Sequence, residues 1–186
     1  MTIPNLLTLL RILLTPVLIW LLLDRRLSQA LVVFILAGFT DGLDGLVARV
    51  FHQKSRLGAY LDPLADKLLL ASCFILLGRL QLLPNWLVII AVSRDAIILL
   101  GIATLMLHQI RVQINPTVLS KLTTLMQLVT VLIMLSSTHL KLPHWGYTLL
   151  FAVTAGATVA SGLHYMLTGI QLWEGQRHND NGQLTP

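Results

Sequence analysis

Residues 41–66 read DGLDGLVARVFHQKSRLGAYLDPLAD, from Asp41 to Asp66, and carry four of the chain's eight acidic residues, Asp41, Asp44, Asp62 and Asp66. Everything around the stretch is apolar: 55% of the 186 residues are hydrophobic, 11% are charged, and the mean hydropathy is +0.78. A charged side chain near the bilayer centre costs about 2.5–3.5 kcal/mol on insertion scales. Four acids in such a chain therefore call for cations to neutralise them.

Working outward, runs of about 20 apolar residues, the length that crosses a bilayer as a helix, fall at Ile3–Leu23, Ala30–Val50, Tyr60–Leu80, Trp86–His108, Thr117–Ser137 and Trp145–Trp173. Short polar or Pro/Gly-containing links separate them. The runs are continuous and lack the alternation of a lipid-facing strand. The sequence thus predicts an all-α integral membrane protein, a bundle of six transmembrane helices over residues 1–174, followed by a polar, disordered tail over 175–186. The first run carries Arg11, has no basic segment before it and no small-residue cleavage site after it, so it reads as a retained helix and not a signal peptide.

The net charge of +5 comes from 13 scattered Lys and Arg residues. It suits anionic lipid headgroups better than nucleic acid, for which the chain offers no groove. With the N-terminus in the cytoplasm, Arg49, Lys54, Arg56, Arg111, Lys121 and Arg177 lie on the inner side, against Arg25, Arg26, Arg79 and Lys141 outside. The acids then face the cytoplasm from a multi-pass protein of the cell (inner) membrane. Cys73 is the only cysteine, which leaves no disulfide and no thiolate metal site.

The acids have helical spacing. Asp41, Asp44, Gly45 and Ala48 stand at i, i+3, i+4 and i+7, and so share one face. On it two carboxylates alternate with two residues that leave room for a ligand. Gly58, Asp62 and Asp66 repeat the arrangement on the next helix at i, i+4 and i+8. A loop of about nine residues joins neighbours in antiparallel fashion, which lets the two faces meet as one four-carboxylate pocket. Unpaired, these acids would repel one another. Oxygen-only donors favour hard cations, so about two Mg²⁺ or Mn²⁺ ions are expected. The EF-hand pattern is missing. Plain salt bridges to Arg49, Lys54, Arg56 and Lys67 would make a poor reason to keep so many acids in an apolar chain. Paired ions held ~3.5–4 Å apart suit phosphoryl transfer. Arg49 would grip phosphate as a planar fork, and Asp66, farthest into its helix, is placed to take a proton from an attacking hydroxyl.

Read together, the residues from Asp41 to Asp66 spell D-x-x-D-G-x-x-A-R-x8-G-x3-D-x3-D. This resembles the signature of the CDP-alcohol phosphatidyltransferases at every spaced position. The opening Ile3-Pro4-Asn5-Leu6-Leu7-Thr8-Leu9-Leu10-Arg11 is similar to the first helix of bacterial members. The resemblance implies a homodimer and a two-metal site with Asp41, Asp44, Asp62 and Asp66 as ligands. It further implies that Gly45, Ala48, Arg49 and Gly58 surround the CDP diphosphate, that Asp66 is the base, and that an acceptor hydroxyl attacks CDP-diacylglycerol with release of CMP.

The acceptor is read from helices 4 and 5. Members that use glycerol 3-phosphate, the phosphatidylglycerophosphate synthases, carry a second Arg on helix 4 and a Gly-Lys-x-Lys-Thr run on helix 5. Here Ile102 stands at the first place and Thr123 at the second Lys place, within Ser120-Lys121-Leu122-Thr123-Thr124. A phosphomonoester dianion would be short of cations. Ser93-Arg94-Asp95 and Pro116–Lys121 resemble instead the cardiolipin synthases that use CDP-diacylglycerol. That points to phosphatidylglycerol as acceptor, with Arg94, Asp95 and Lys121 as acceptor-side candidates. The phospholipase D type is excluded because its H-x-K-x4-D motif would need Asp where Ala59 stands. A cation-transport path, the reading from another function class, predicts acids spread through the membrane depth; only Asp95 lies deeper than the cluster. Ala152, Gly156 and Ala160 are expected to pack within the bundle as a small-residue face. Met126, Gln127, Ser161, His164 and Tyr165 are expected to make interhelical hydrogen bonds.

Overall fold

The computed structural model describes the backbone over residues 3–51, 56–107 and 117–182, and side-chain environments over 9–40, 65–101, 104 and 117–168. Among the described residues six helices follow one another: α1 (Ile3–Leu23), α2 (Leu27–Phe51), α3 (Arg56–Arg79), α4 (Asn85–Leu107), α5 (Val118–Leu135) and α6 (His144–Gly182), with a 3₁₀ turn at Ser136–Thr138. No strand occurs among the described residues.

Two of the turns show how the chain reverses without glycine. Arg25 and Gln81 both take a left-handed backbone, φ 58° and 60°. After α1, Arg26 N–H donates to the Leu21 carbonyl and Arg25 N–H to that of Leu22; after α3, Leu82 N–H reaches Leu77 and Gln81 N–H reaches Gly78. These are Schellman closures, which satisfy helix-terminal carbonyls and fix the exit direction of the chain. Both lie at the end of the bundle remote from the α2–α3 connection. There Ser28 Oγ and His139 Nε2, 2.9 Å apart, tie the start of α2 to the α5–α6 link.

The apolar core fills this remote half. Leu18, Leu22, Phe34, Cys73, Phe74, Leu77, Leu87, Val131 and Leu135 are buried together, bringing α1 to α5 into one cluster. Helix α1 packs against both α2 and α3, α4 against α3 and α6, and α5 against α6. Outward-facing positions are apolar too: Leu13, Ile35, Phe39, Leu100, Leu149 and Leu163 are all exposed. Among the described residues, α5 through Thr138 and α6 through Thr168 are long and apolar enough to cross a membrane, and α1 and α2 contribute shorter apolar stretches, Leu9–Leu23 and Leu27–Thr40.

One expectation is corrected. Ala152, Gly156 and Ala160 are exposed, and a Cβ built on Gly156 meets nothing within 4 Å. The buried face of α6 is instead Thr154, Thr158 and Ser161, at i, i+4 and i+7. Hydroxyls decide it, because Thr130 and Thr154 share a hydrogen bond at 2.8 Å and Thr123 donates to the Ala157 carbonyl at 2.9 Å, satisfying polar groups that lipid would leave bare. Helix α6 itself runs on through Gly182. Glu174, Gln176 and Arg177 are good helix formers and do not oppose continuation.

Candidate active site

The last turns of α2 carry Asp41, Asp44, Gly45, Ala48 and Arg49, and the first turns of α3 carry Gly58 and Asp62. Helical backbone at these positions gives each group the shared stripe that its spacing implies. Their side chains lie outside the described residues, so the meeting of the two acidic faces does too. Helices α1 and α5 each pack on both acid-bearing helices, α1 the more extensively.

Asp66 is described. Arg11 Nη1 donates to its Oδ1 at 2.5 Å, from a side chain 1% exposed to one 40% exposed. The candidate base is therefore held from α1, by the one charge within that helix's apolar run. A lone arginine in such a run demands a partner, which was the available signal for Arg11 as a site residue.

One residue on, Lys67 points away from Asp66, since consecutive residues on a helix do not share a face. Its ammonium bonds Asp95 Oδ1 on α4 at 2.7 Å. The same oxygen accepts from Arg94 Nη1, also at 2.7 Å. Arg94 Nη2 donates to Ser120 Oγ at 2.9 Å and to Ser161 Oγ at 2.6 Å. The guanidinium also lies 5.8 Å from the ring centre of Tyr165. Ser120 is set by a local device: Thr117 caps α5, its side chain accepting the Ser120 N–H at 3.2 Å. A charged layer thus runs across α1, α3, α4, α5 and α6, above the apolar core and towards the end that carries the aspartates.

Of the acceptor-side candidates, Arg94 is buried and engaged, Asp95 is shared between two cations, and Lys121 is exposed on the first turn of α5. Thr123, where a lysine would stand in the glycerol 3-phosphate pattern, is fully buried and closed onto α6. Ile102 lies outside the described side chains. Ser161 makes the expected interhelical bond and Tyr165 an interhelical cation–π contact, whereas His164 is exposed and Gln127 is buried with its Nε2 unpartnered. No group of three or more metal-ligating side chains occurs among the described residues, which include only Asp66 of the four acids.

Residues 1–164 match the family model of the CDP-alcohol phosphatidyltransferases. The chain belongs to this family. A rat protein named cardiolipin synthase (CMP-forming) is 36% identical over 186 residues, covering 88% of this chain and 60% of its own length. A human protein of the same name is 34% identical with the same coverage, and one from Streptomyces coelicolor is 37% identical over 114 residues. The chain spans about 60% of the length of the rat and human relatives. Within the matched residues lies the aspartate pattern of α2 and α3, and the charged layer adjoins it through Asp66.

Proposed function

We propose that the chain transfers the phosphatidyl group of CDP-diacylglycerol to phosphatidylglycerol, forming cardiolipin and releasing CMP. Relatives named cardiolipin synthase (CMP-forming) that align with 88% of the chain support the reaction. The observation that carries the acceptor is Thr123. Its hydroxyl bridges to the Ala157 carbonyl in a packed helix contact, so this position supplies no cation for a phosphomonoester.

In this reading residues 1–174 form the catalytic membrane domain. Gly45, Ala48, Arg49 and Gly58 line the CDP diphosphate, Arg49 pairing with its oxygens as a fork. The acceptor's hydroxyl oxygen bonds to the lipid-side phosphorus, the bond from that phosphorus to the CMP oxygen breaks, and Asp66 takes the hydroxyl proton. Arg11 fixes where that carboxylate sits. The all-oxygen donor set of Asp41, Asp44, Asp62 and Asp66 fits Mg²⁺ or Mn²⁺ and lacks the nitrogen or sulfur that softer metals favour. Such ions, when bound, neutralise the diphosphate and the leaving CMP.

Six helices crossing the membrane, with the aspartates on the cytoplasmic side, complete the proposal. Supporting it, Trp20, Trp86 and Trp145 are exposed at the end of α1, the start of α4 and the start of α6, all at the remote end of the bundle, as an interfacial aromatic belt would be. Arg26 stacks on Trp20 at 5.5 Å there. A homodimer, which the family resemblance implies, belongs to the proposal, and the exposed Ala152–Gly156–Ala160 stripe is of the small-residue kind that permits close helix approach.

The test is turnover by the purified protein in lipid–detergent micelles, with CDP-diacylglycerol and either acceptor. Cardiolipin and CMP are expected with phosphatidylglycerol, abolished by EDTA and restored by Mg²⁺ or Mn²⁺. Turnover of glycerol 3-phosphate with none of phosphatidylglycerol would overturn the acceptor, and EDTA-resistant activity the metal requirement.

A further inference from the structure

Lys67 and Arg94 converge on one carboxylate oxygen, Asp95 Oδ1. Two positive charges thus meet one negative charge, and among the described residues no second acid pairs with either cation. Arg94's remaining partners among the described residues are uncharged, the hydroxyls of Ser120 and Ser161 and the ring of Tyr165. Among the described residues, Lys67, Arg94 and Asp95 together carry a net charge of +1, where Arg94 is 5% and Asp95 14% exposed. Unbalanced charge in such surroundings is costly unless an anion completes it.

Exposure indicates which cation an anion can reach. Both terminal nitrogens of Arg94 are occupied inside the bundle, and Gly162 leaves room for its stem, since a Cβ there would stand 3.4 Å from Arg94 Cγ. Lys67 is 29% exposed, and an ammonium with three N–H groups that gives one to Asp95 has others to offer. It follows Asp66 in the chain, on the face of α3 that turns to Asp95 of α4.

We infer that Lys67 binds the phosphodiester of the acceptor lipid, and that Asp95 and Arg94 act behind it as positioning residues. The inference rests on the acceptor proposed above and assigns the residue that selects it. A surplus of one positive charge matches the single negative charge of a phosphodiester and under-compensates a dianion. Arg94, anchored to α5 and α6, holds Asp95, and Asp95 holds the Lys67 ammonium at a set place on α3.

The decisive comparison uses the wild-type protein with phosphatidylglycerol and with its methyl phosphotriester, which keeps the attacking hydroxyl and removes the charge. The uncapped lipid is expected to be used with at least tenfold higher kcat/KM; equal use of both would overturn the inference. In Lys67→Met the apparent KM for phosphatidylglycerol should rise about tenfold, with that for CDP-diacylglycerol unchanged within twofold and the preference over the triester lost; Lys67→Arg should restore part of it. Arg94→Gln should raise the acceptor KM as well, and the double variant Lys67→Met/Arg94→Gln should be no worse than Lys67→Met. Additive losses would overturn the positioning role. A wild-type protein that does not use phosphatidylglycerol refutes the proposed function, whereas one that uses both lipids equally refutes only this inference.

Discussion

Arg11 and Asp66, 55 residues apart in the chain, are joined at 2.5 Å between α1 and α3. The pair sets the candidate base from a helix that carries none of the signature aspartates. Because Asp66 is 40% exposed, water screens the pair and its value lies more in placement than in fold stability.

Replacing Arg11 should therefore act on turnover first. For Arg11→Met we expect kcat to fall about 10²-fold, the scale of a misplacement of about 1 Å at a reacting group, with the apparent KM for CDP-diacylglycerol within about twofold of wild type. Arg11→Lys should recover part of the loss, since it returns the charge without the planar fork. Initial rates of CMP release in micelles check both variants, and unchanged kcat in Arg11→Met would remove the pair from the mechanism.

Asp66→Asn tests the base itself. The amide keeps the side chain's size but cannot take a proton, so turnover should fall by roughly 10²–10⁴-fold, the usual worth of general base catalysis. CDP-diacylglycerol binding, followed by equilibrium retention of labelled nucleotide lipid, should stay largely intact. Wild-type rates would show that the proton goes elsewhere.

Arg49→Lys separates binding from chemistry. A point charge replaces a planar fork that meets two phosphate oxygens at once, so the apparent KM for CDP-diacylglycerol should rise by about tenfold, or about 1.4 kcal/mol, while kcat changes less. A donor KM equal to that of wild type would exclude Arg49 from the diphosphate site.

Much of this was legible in the chain before its structure. Continuous apolar runs mark the six helices because a helix of about 20 residues must satisfy its own backbone in lipid, and α1 agrees with the expected run from Ile3 to Leu23. The stripe spacing of Asp41, Asp44, Asp62 and Asp66 is a local property that helical geometry translates directly. Contacts between helices are different, since no period encodes which distant side chain answers a charge. Arg11 looked like an oddity in an apolar run, and Lys67 like a neighbour of the acids; their partners, Asp66 and Asp95, emerge only when α1, α3 and α4 are placed. The face of α6 was misread for a related reason. Small residues permit close approach, but the buried Thr154, Thr158 and Ser161 have hydroxyls to satisfy and take the interior.

Gly78 offers a test of the packing that holds α3 against α4, remote from the chemistry. A Cβ at this position would stand 2.8 Å from Val88 Cγ2, closer than nonbonded carbons tolerate, with Asn85 Oδ1 at 3.8 Å. Val88 is β-branched and has few alternative rotamers in a helix, so the strain passes to the backbone. Gly78→Ala should destabilise the protein by about 1–3 kcal/mol, the cost of overpacking a close contact, despite alanine's better helix propensity. Thermal unfolding in detergent should show a lowered midpoint, while the KM values for both lipids of the protein that remains folded should match wild type. A midpoint equal to or above that of wild type would mean that α3 and α4 are not pressed together at Gly78 and Val88.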